Sequence, residues 1–394
     1  GEPLYLDVVA ALKDKNINIV GGRYGLSSKD TNAAMIKAVF DMLDNPKNNF
    51  TIGINDDVTN LSLEVDKTYK ISNSLEFLVY GYGSDGMVSA CKSIIKLVGN
   101  LTDKYVQGYF QYDSKKSGGV TIGHLRFDDN KIKSTYYVEN PKLVVCTKDT
   151  YLDKYNMLEH IKENCIFIIN TEKDIDELNK INNDIKKIIL EKNIKFYTIN
   201  AYKLAEEINL PGKISTIMES VILYLSNVID YDRTKEEMKL YAKNKFSKKG
   251  DDVVLANYKA IDEAVNYLKE VNLDNLEGKF VSYGTSLYEE MSDRKGDSIP
   301  VSKFIPLRDG TFMPNTSKFD KRGISSSVPT CDISKCIMCN KCSFICPHAV
   351  IRPFLIDEEE YSKLPDNIKN KCKKPVLPAL KDYYYLLSFS VMDC

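Results

Sequence analysis

Short apolar runs and amphipathic segments alternate along the chain from residue 75 to about residue 230. The runs that are short and apolar enough to be strands are residues 75–80, 143–146, 165–170 and 195–200. Between them, apolar residues recur at helical spacing over residues 87–98, with Gly99 at the end, and over residues 152–161. Helices that connect parallel strands cover both faces of a sheet, so this alternation predicts an α/β fold with a doubly wound, mostly parallel sheet.

An α/β pattern also occupies residues 1–74. A helical period begins at Ala33, directly after Asn32, whose side chain can cap the first turn. Residues 50–54 are suited to a strand. We therefore predict a helix that packs on a sheet in this segment.

A pair of helices is predicted after the alternating region, at residues 214–228 and 254–268. The lysine-rich stretch at residues 243–249 links them and is interpreted as a solvated surface run. Residues 275–330 show no sustained period and carry Gly or Pro at short intervals, which indicates an irregular connecting segment.

Length and charge exclude several classes of protein. The chain has 394 residues, with 54 Lys and Arg against 55 Asp and Glu, so its formal charge of −1 argues against a general nucleic-acid binder. Its apolar stretches are too short for a transmembrane helix, and residues 1–7 do not resemble a signal peptide. Because the chain begins at Gly1 and ends at Cys394, we expect it to be a segment of a longer protein.

A glycine-rich motif, Gly-x-Gly-x-x-Gly at residues 81–86, follows the first predicted strand of the alternating region and precedes a helix. Glycines permit a tight turn, and the helix N-terminus supplies N–H groups to a phosphate. An NAD site also requires an acidic residue at the end of the second strand. Asp103 precedes that strand, residues 105–112, so we predict phosphate binding and not NAD. A turn without a ligand is the alternative.

Two lysines, Lys115 and Lys116, follow the strand predicted at residues 105–112. At the carboxyl end of a strand beside the glycine loop, either one can neutralise a phosphate. Taken alone, a lysine pair is more often solvated surface.

The ten cysteines are unevenly distributed. Cys91, Cys146 and Cys165 are isolated in apolar surroundings and are predicted to be core thiols. In the last 64 residues, the spacing C-x2-C-x2-C-x3-C, followed by Pro, is typical of iron–sulfur ligands, the fourth of which binds a second cluster. Zinc and disulfide sites favour other spacings. The four residues of the motif are Cys336, Cys339, Cys342 and Cys346.

Three further cysteines lie near this motif. Cys394, the final residue, is placed where a second motif would begin. Cys331 and Cys372 fall outside the spacing, and we interpret them as non-ligands.

Several runs together resemble the pyruvate:ferredoxin (flavodoxin) oxidoreductase family. They occur in the family's order, and the similarity extends over essentially the whole chain. The runs are residues 21–26, residues 81–86, residues 108–119, residues 320–323 and the four-cysteine motif.

The resemblance implies an enzyme that decarboxylates pyruvate on thiamine diphosphate with Mg, passes electrons through 4Fe-4S clusters to ferredoxin or flavodoxin, and transfers the acetyl group to coenzyme A. A homodimer is also expected, and a cytoplasmic location is expected because low-potential clusters and free thiols suit a reducing compartment. This segment would then comprise the end of a transketolase-C-like α/β domain (1–74), a coenzyme A-binding α/β domain (75–286), a connector (287–327) and part of a small α+β ferredoxin-like domain (328–394).

The resemblance also implies the site residues. Three cysteines of the motif would hold one cluster, while Cys346 and Cys394 would belong to another. Ser215 stands where the family usually has Asn. No Gly-Asp-Gly thiamine motif occurs, so no catalytic residue for decarboxylation is expected here. Coenzyme A would contact Gly83, Ser84, Asp85, Gly86, Met87, Lys115 and Asn257.

Two other interpretations stay open. One is an electron-carrier or structural subunit whose α/β part binds no nucleotide. The other is an NAD-dependent dehydrogenase that carries a ferredoxin domain. Retention on coenzyme A or protection by a nicotinamide nucleotide would distinguish them.

Overall fold

The structure, a computed structural model, describes most of the chain. The described residues are 2–25, 30–71, 73–83, 85–113, 119–174, 183–275, 286–292, 296–312, 330–347 and 349–389. Among these residues, every helix is too short or too polar to cross a membrane. The chain divides into two compact units, Gly1–Met313 and Pro314–Cys394.

The described residues of the N-terminal segment of the first unit form two helices and two very short strands. They are α1 (Pro3–Ala11), β1 (Gly22–Arg23), α2 (Ala33–Asp41) and β2 (Phe50–Thr51), with β1 and β2 parallel. The side chain of Asn32 accepts a hydrogen bond from the Met35 amide at 2.9 Å, which confirms the predicted cap. The strand predicted at residues 50–54 extends over only two residues.

A seven-stranded sheet forms the centre of the first unit. Its strands are β3 (Leu75–Tyr82), β4 (Tyr105–Tyr112), β5 (Val120–Asp128), β6 (Leu143–Cys146), β7 (Ile166–Asn170), β8 (Lys195–Ile199) and β9 (Leu268–Glu270). Their order is β4-β5-β3-β6-β7-β8-β9. The neighbours β3, β6, β7 and β8 are parallel, whereas β5 and β9 run antiparallel to their neighbours. The predicted α/β class is confirmed, and β5, which was not predicted, lies between β3 and β4.

In the part of the chain that the structure describes, six helices surround or follow this sheet. They are α3 (Met87–Leu101), α4 (Asn183–Glu191), α5 (Ala201–Glu207), α6 (Ser215–Ser226), α7 (Tyr231–Phe246) and α8 (Asp251–Glu263). Apolar residues of α3, α6, α7 and α8 share one core with the sheet, including Ile94, Met218, Met238 and Ile261. Helix α3 continues through Gly99 to Leu101, beyond its predicted end.

Two predictions about helices were wrong. Residues 152–161 form no α-helix, because a 3-10 turn at Asp149–Asp153 and further turns bury Leu152, Leu158 and Ile161 at a spacing that resembles a helical period. The predicted pair of helices is a set of three, because α7 forms in the link between them. The lysine-rich stretch at residues 243–249 is exposed, as predicted, and forms the last turn of α7 and a 3-10 turn, where positive side chains favour the helix C-terminus.

Arg126 on β5 and Glu76 on the neighbouring strand β3 form a buried ion pair. Arg126 Nε donates to Glu76 Oε1 at 2.7 Å, and the two side chains are 2% and 11% exposed. The guanidinium also donates to Gln107 Oε1 at 2.9 Å and to the carbonyls of Tyr136 and Tyr137 at 2.7 Å. Because its donors are satisfied, the charge is tolerated inside the protein.

The N-terminal segment and residues 286–312 both contact other parts of the first unit. Asp30 accepts a hydrogen bond from the Tyr137 amide at 2.6 Å, and Val301 N donates to Asn55 O at 2.9 Å. The latter region contains helix α9 (Leu287–Ser292) and two 3-10 turns.

The second unit is a small α+β domain. Its antiparallel sheet has the order β10-β12-β11. Its elements are β10 (Ile351–Ile356), β11 (Cys372–Lys373), β12 (Tyr384–Phe389), α10 (Lys341–Ile345), α11 (Glu358–Ser362) and α12 (Asp366–Lys369).

Candidate functional site

The glycine loop connects β3 to α3, as the sequence predicts. Gly86 has a φ of +86°, in the left-handed region, and precedes the first residue of the helix. A Cβ on Gly81 would lie 2.9 Å from Met87 Cβ, so the strand and the helix can approach this closely only with glycine at that position. The loop therefore presents backbone at the helix N-terminus, where N–H groups lack intrahelical acceptors.

The Asp85 carboxylate holds this loop in shape. Its Oδ2 accepts hydrogen bonds from Tyr82 N at 2.8 Å and from Thr147 Oγ1 at 2.7 Å, while its Oδ1 accepts from Met87 N at 2.8 Å. Burial raises the pKa of Asp85, and these three hydrogen bonds oppose that effect. The carboxylate thus closes the loop on itself, since it binds the amides of Tyr82 and Met87, while Asp85 N donates to Tyr82 O at 3.0 Å.

Helix α6 begins against the loop. A Cβ on Gly86 would lie 3.0 Å from Ser215 Cβ, so the two residues are in close contact. In the next position, Thr216 Oγ1 donates to Asn257 Oδ1 at 2.8 Å, and Asn257 Nδ2 donates to Val253 O at 2.8 Å. Asn257 is 4% exposed. The structure therefore brings Asn257 of α8 to the loop through α6, with both ends of its amide bonded to the protein.

The structure describes five of the seven residues that we predicted to contact coenzyme A. Gly83, Asp85, Gly86 and Met87 share the loop, and Gly83 N donates to Gly119 O at 3.1 Å. Ser84 and Lys115 lie outside the described residues. Motif reasoning missed Thr147, because it reaches the loop from the end of β6, 62 residues further along the chain.

The cysteine loop of the second unit runs from Cys336 to Cys346. A 3-10 turn at Ile333–Lys335 leads into it, and helix α10 closes it. Met338 N donates to Cys336 Sγ at 3.4 Å. Such amide-to-sulfur hydrogen bonds are among those that tune iron–sulfur clusters.

Tyr385 on β12 is buried beside the cysteine loop, to which its hydroxyl is hydrogen-bonded. Its Oη donates to Asn340 Oδ1 at 2.7 Å. Burial, together with four nearby thiols, raises the pKa of Tyr385 to about 12. These thiols belong to Cys336, Cys342, Cys331 and Cys339.

Cys331, which we interpreted as a non-ligand from its spacing, lies within this group. Burial and the Cys336 thiol, its hydrogen-bond partner, raise the pKa of the Cys331 thiol, with a smaller effect from Cys342. Cys372 behaves differently, since its Sγ donates to Ile368 O at 3.4 Å. Spacing alone does not reveal the position of Cys331, because the turn at residues 333–335 brings it back to the loop.

The four thiols are soft donors of the kind that suit iron–sulfur clusters. In the part of the chain that the structure describes, no three His, Cys, Asp or Glu side chains are arranged to hold a metal ion. Cys394 lies outside the described residues. The thiol groups of the cysteine loop are therefore of the kind that binds an iron–sulfur cluster, but their sulfur atoms are not positioned around a common metal site.

We compared the chain with models of protein families and with known proteins. Residues 76–267 match the family model "Pyruvate ferredoxin/flavodoxin oxidoreductase", and residues 276–325 match one described as a domain of unknown function. A pyruvate:ferredoxin oxidoreductase of Moorella thermoacetica is 41% identical over 389 residues, and a pyruvate-flavodoxin oxidoreductase of Trichormus variabilis is 40% identical over 395 residues. Each alignment covers 94% of this chain and 33% of the relative.

A solved structure, the pyruvate oxidoreductase subunit PORC of Thermotoga maritima, matches with a TM-score of 0.42 and 21% identity. That match covers 51% of this chain and 100% of the subunit. The chain thus spans about a third of the length of the curated relatives, at around 40% identity over nearly all of its own length. On these sequence matches, the chain belongs to the pyruvate ferredoxin/flavodoxin oxidoreductase family.

Proposed function

We propose that this chain binds coenzyme A and supplies iron–sulfur ligands in an enzyme that converts pyruvate and coenzyme A to acetyl-CoA and carbon dioxide. The observation that carries the proposal is the glycine loop. It lies inside the segment that matches the family model, and it places Gly86 and the N-terminus of α3 against Ser215.

Each part of the loop has a defined task in this proposal. The N–H groups in the first turn of α3 beyond Met87, whose own amide bonds Asp85, bind the phosphates of coenzyme A, and Lys115 neutralises part of their charge. Asp85 and Thr147 keep the loop closed, because the carboxylate bonds two loop amides and the hydroxyl at once. Asn257 fixes the start of α6 through Thr216. The thiol arm of coenzyme A is then free to reach an acyl donor.

The cysteine loop would serve electron transfer. Cys336, Cys339 and Cys342 would hold one 4Fe-4S cluster, and Cys346 and Cys394 would contribute to another. A bound cluster supplies one-electron redox chemistry. The Met338 amide and the buried Tyr385 side chain support the loop around the sulfurs.

The remaining parts of the proposal concern the longer enzyme. Ferredoxin or flavodoxin would accept the two electrons released by each pyruvate. Thiamine diphosphate with Mg, and the pyruvate site, would lie outside these residues. We place the enzyme in the cytoplasm as a homodimer, in agreement with the family resemblance.

Calorimetric titration of coenzyme A into the full chain tests the central claim. We expect saturable binding and a loss of about tenfold or more in affinity for Lys115→Ala, the usual effect of removing a charged phosphate contact. Lys131→Ala, which removes an exposed lysine elsewhere, is the matched control and should bind as the wild type does.

Other outcomes support the alternatives. If coenzyme A fails to bind, the chain is better explained as an electron-carrier or structural segment. If a nicotinamide nucleotide binds and coenzyme A does not, the dehydrogenase interpretation is favoured instead.

A further inference from the structure

Cys331 and Cys336 stand at the two ends of one short turn in the second unit. Ile333–Lys335 forms the 3-10 turn between them, and Cys336 N donates to Ile333 O at 3.2 Å. The thiols of the two cysteines are hydrogen-bonded to each other. Among the residues that the structure describes, no third His, Cys, Asp or Glu completes a metal-binding group with them. The turn therefore brings together two sulfurs as a pair.

Several hydrogen bonds hold the turn that joins the two cysteines. Asp332 Oδ1 accepts from Ser334 N at 3.1 Å and from Ser334 Oγ at 2.6 Å, and Lys335 N donates to Asp332 O at 3.1 Å. From β11, Lys373 Nζ donates to Cys336 O at 3.0 Å and to Ser334 O at 3.3 Å. Because the backbone of the turn is bonded in this way, the two thiols are kept close together, which favours a reaction between them over a reaction with a distant thiol.

Both thiols of the pair are accessible from solvent. Cys331 is exposed and Cys336 is partly exposed, whereas Cys91, Cys146 and Cys165 of the first unit are buried. The susceptibility of a cysteine to oxidation increases with its exposure. A small oxidant can therefore reach the pair but not the thiols of the core.

We propose that Cys331 and Cys336 form a reversible disulfide when the cysteine loop holds no cluster. The reaction is an exchange with a low-molecular-weight disulfide such as glutathione disulfide. Cys336 attacks one sulfur of that oxidant and releases the first thiol, and Cys331 then attacks the Cys336 sulfur and releases the second. The two cysteines together lose two protons and two electrons, and the oxidant gains them.

The disulfide withholds Cys336 from iron, because only a free thiolate is a metal ligand. It also protects Cys336 from irreversible oxidation to the sulfinic and sulfonic acids, and a dithiol reductant restores the ligand. This consequence rests on the proposed function, in which Cys336 binds a cluster. The disulfide itself rests on the contact between the two thiols.

Peptide mapping of the full chain tests the proposal. The chain is reduced, freed of metal with a chelator, treated with glutathione disulfide, alkylated and digested with trypsin without further reduction. Trypsin cleaves after Lys335, so the disulfide appears as a cross-link between peptide 323–335 and peptide 336–341. Fragmentation of the linked peptides distinguishes Cys336 from Cys339. We expect the link to Cys336 to be about tenfold or more abundant than the link to any other cysteine.

Two variants sharpen the test. Cys331→Ser should accumulate the mixed disulfide of Cys336 with glutathione, because the thiol that resolves it in the wild type is missing. Cys372→Ser is the matched control and should form the cross-link as the wild type does, since Cys372 Sγ donates to Ile368 O and takes no part in the pair.

The outcomes separate this inference from the proposed function. If Cys336 of the wild type is recovered only as the glutathione adduct, or if Cys331 is linked mainly to Cys339 or Cys342, the inference is overturned and the ligand assignment is unaffected. Anaerobic reconstitution without a thiol should give the oxidised wild type a lower iron content than the reduced wild type. If the disulfide forms and the iron content stays the same, the disulfide stands and the assignment of Cys336 as a ligand fails.

Discussion

Replacement of Gly86 by alanine tests whether the glycine loop needs its observed geometry. Gly86 has a φ of +86°, and a Cβ added there would lie 3.0 Å from Ser215 Cβ and 3.2 Å from Ser215 Oγ. The variant is therefore expected to be destabilised by two separate effects, the left-handed backbone and the contact with α6.

The variant Gly212→Ala measures the backbone effect without the steric contact. It has a φ of +71°, and nothing lies within 4 Å of an added Cβ. Gly212→Ala should cost only the left-handed backbone term, about 1–2 kcal/mol. Gly86→Ala should cost this amount and a further ~1–3 kcal/mol for overpacking, because Ser215 is the first residue of a helix with a buried face.

Urea unfolding followed by far-ultraviolet circular dichroism measures both free energies of unfolding. The double variant Gly86→Ala/Ser215→Gly, compared with Ser215→Gly alone, should recover most of the difference between the two alanine variants. Equal destabilisation by Gly86→Ala and Gly212→Ala would show that α6 does not press on the loop, and the description of the site would be wrong.

Three further predictions concern other parts of the molecule. Arg126→Met should lower the free energy of unfolding by about 3–5 kcal/mol in a urea titration, because it leaves Glu76 buried and unpaired; a loss below ~1 kcal/mol would contradict this. Burial raises the pKa of Glu219 from 4.5 to about 7, against the opposing effects of Ser93 and Lys245, so the contribution of Glu219 to stability is lost as the pH rises from 4.5 through 7. Burial, with Arg126 nearby, lowers the pKa of His124 to about 4, which has the opposite effect on stability over most of this range, so the comparison must be made between the wild type and Glu219→Gln. The free energy of unfolding of the wild type, relative to that of Glu219→Gln, should fall as the pH rises from 4.5 to 7, and a difference that does not change with pH would refute this. After anaerobic reconstitution, iron analysis should show lower iron content for Cys336→Ser but not for Cys372→Ser, and equal losses would argue against the ligand assignment.

Local sequence pattern predicted the parallel strands well, since β3, β6, β7 and β8 begin and end within two residues of the predicted limits. Short apolar runs suffice for such strands, because both of their faces are buried. The pattern failed for β5, which contains His124 and Arg126. Arg126 is buried with Glu76 and the carbonyls of residues 136 and 137 as its partners, and His124 Nδ1 accepts from Val138 N at 3.1 Å. Long-range partners of this kind leave no local periodicity.

The sequence predicted the backbone of the glycine loop but not the side chains that hold it. Gly-x-Gly-x-x-Gly after an apolar run specifies a tight turn and a helix start, and both are found. The role of Asp85 was not predictable, because its partner Thr147 comes from another strand. Likewise, the spacing of Cys331 excluded it from the motif, whereas a single 3-10 turn returns it to Cys336.

The arrangement of the strands explains why polar side chains of the first unit collect along one row. Where parallel strands end together, each following residue can contribute a polar group to the same edge, as Thr147 and Thr171 do after β6 and β7. The antiparallel strands β5 and β9 reverse direction and so bound the row on either side. If the row is the binding surface, substitutions at the glycine loop at one end and at Thr171 toward the other should weaken coenzyme A binding independently, with free energies that add. Strongly non-additive losses would instead indicate that one end acts by deforming the other.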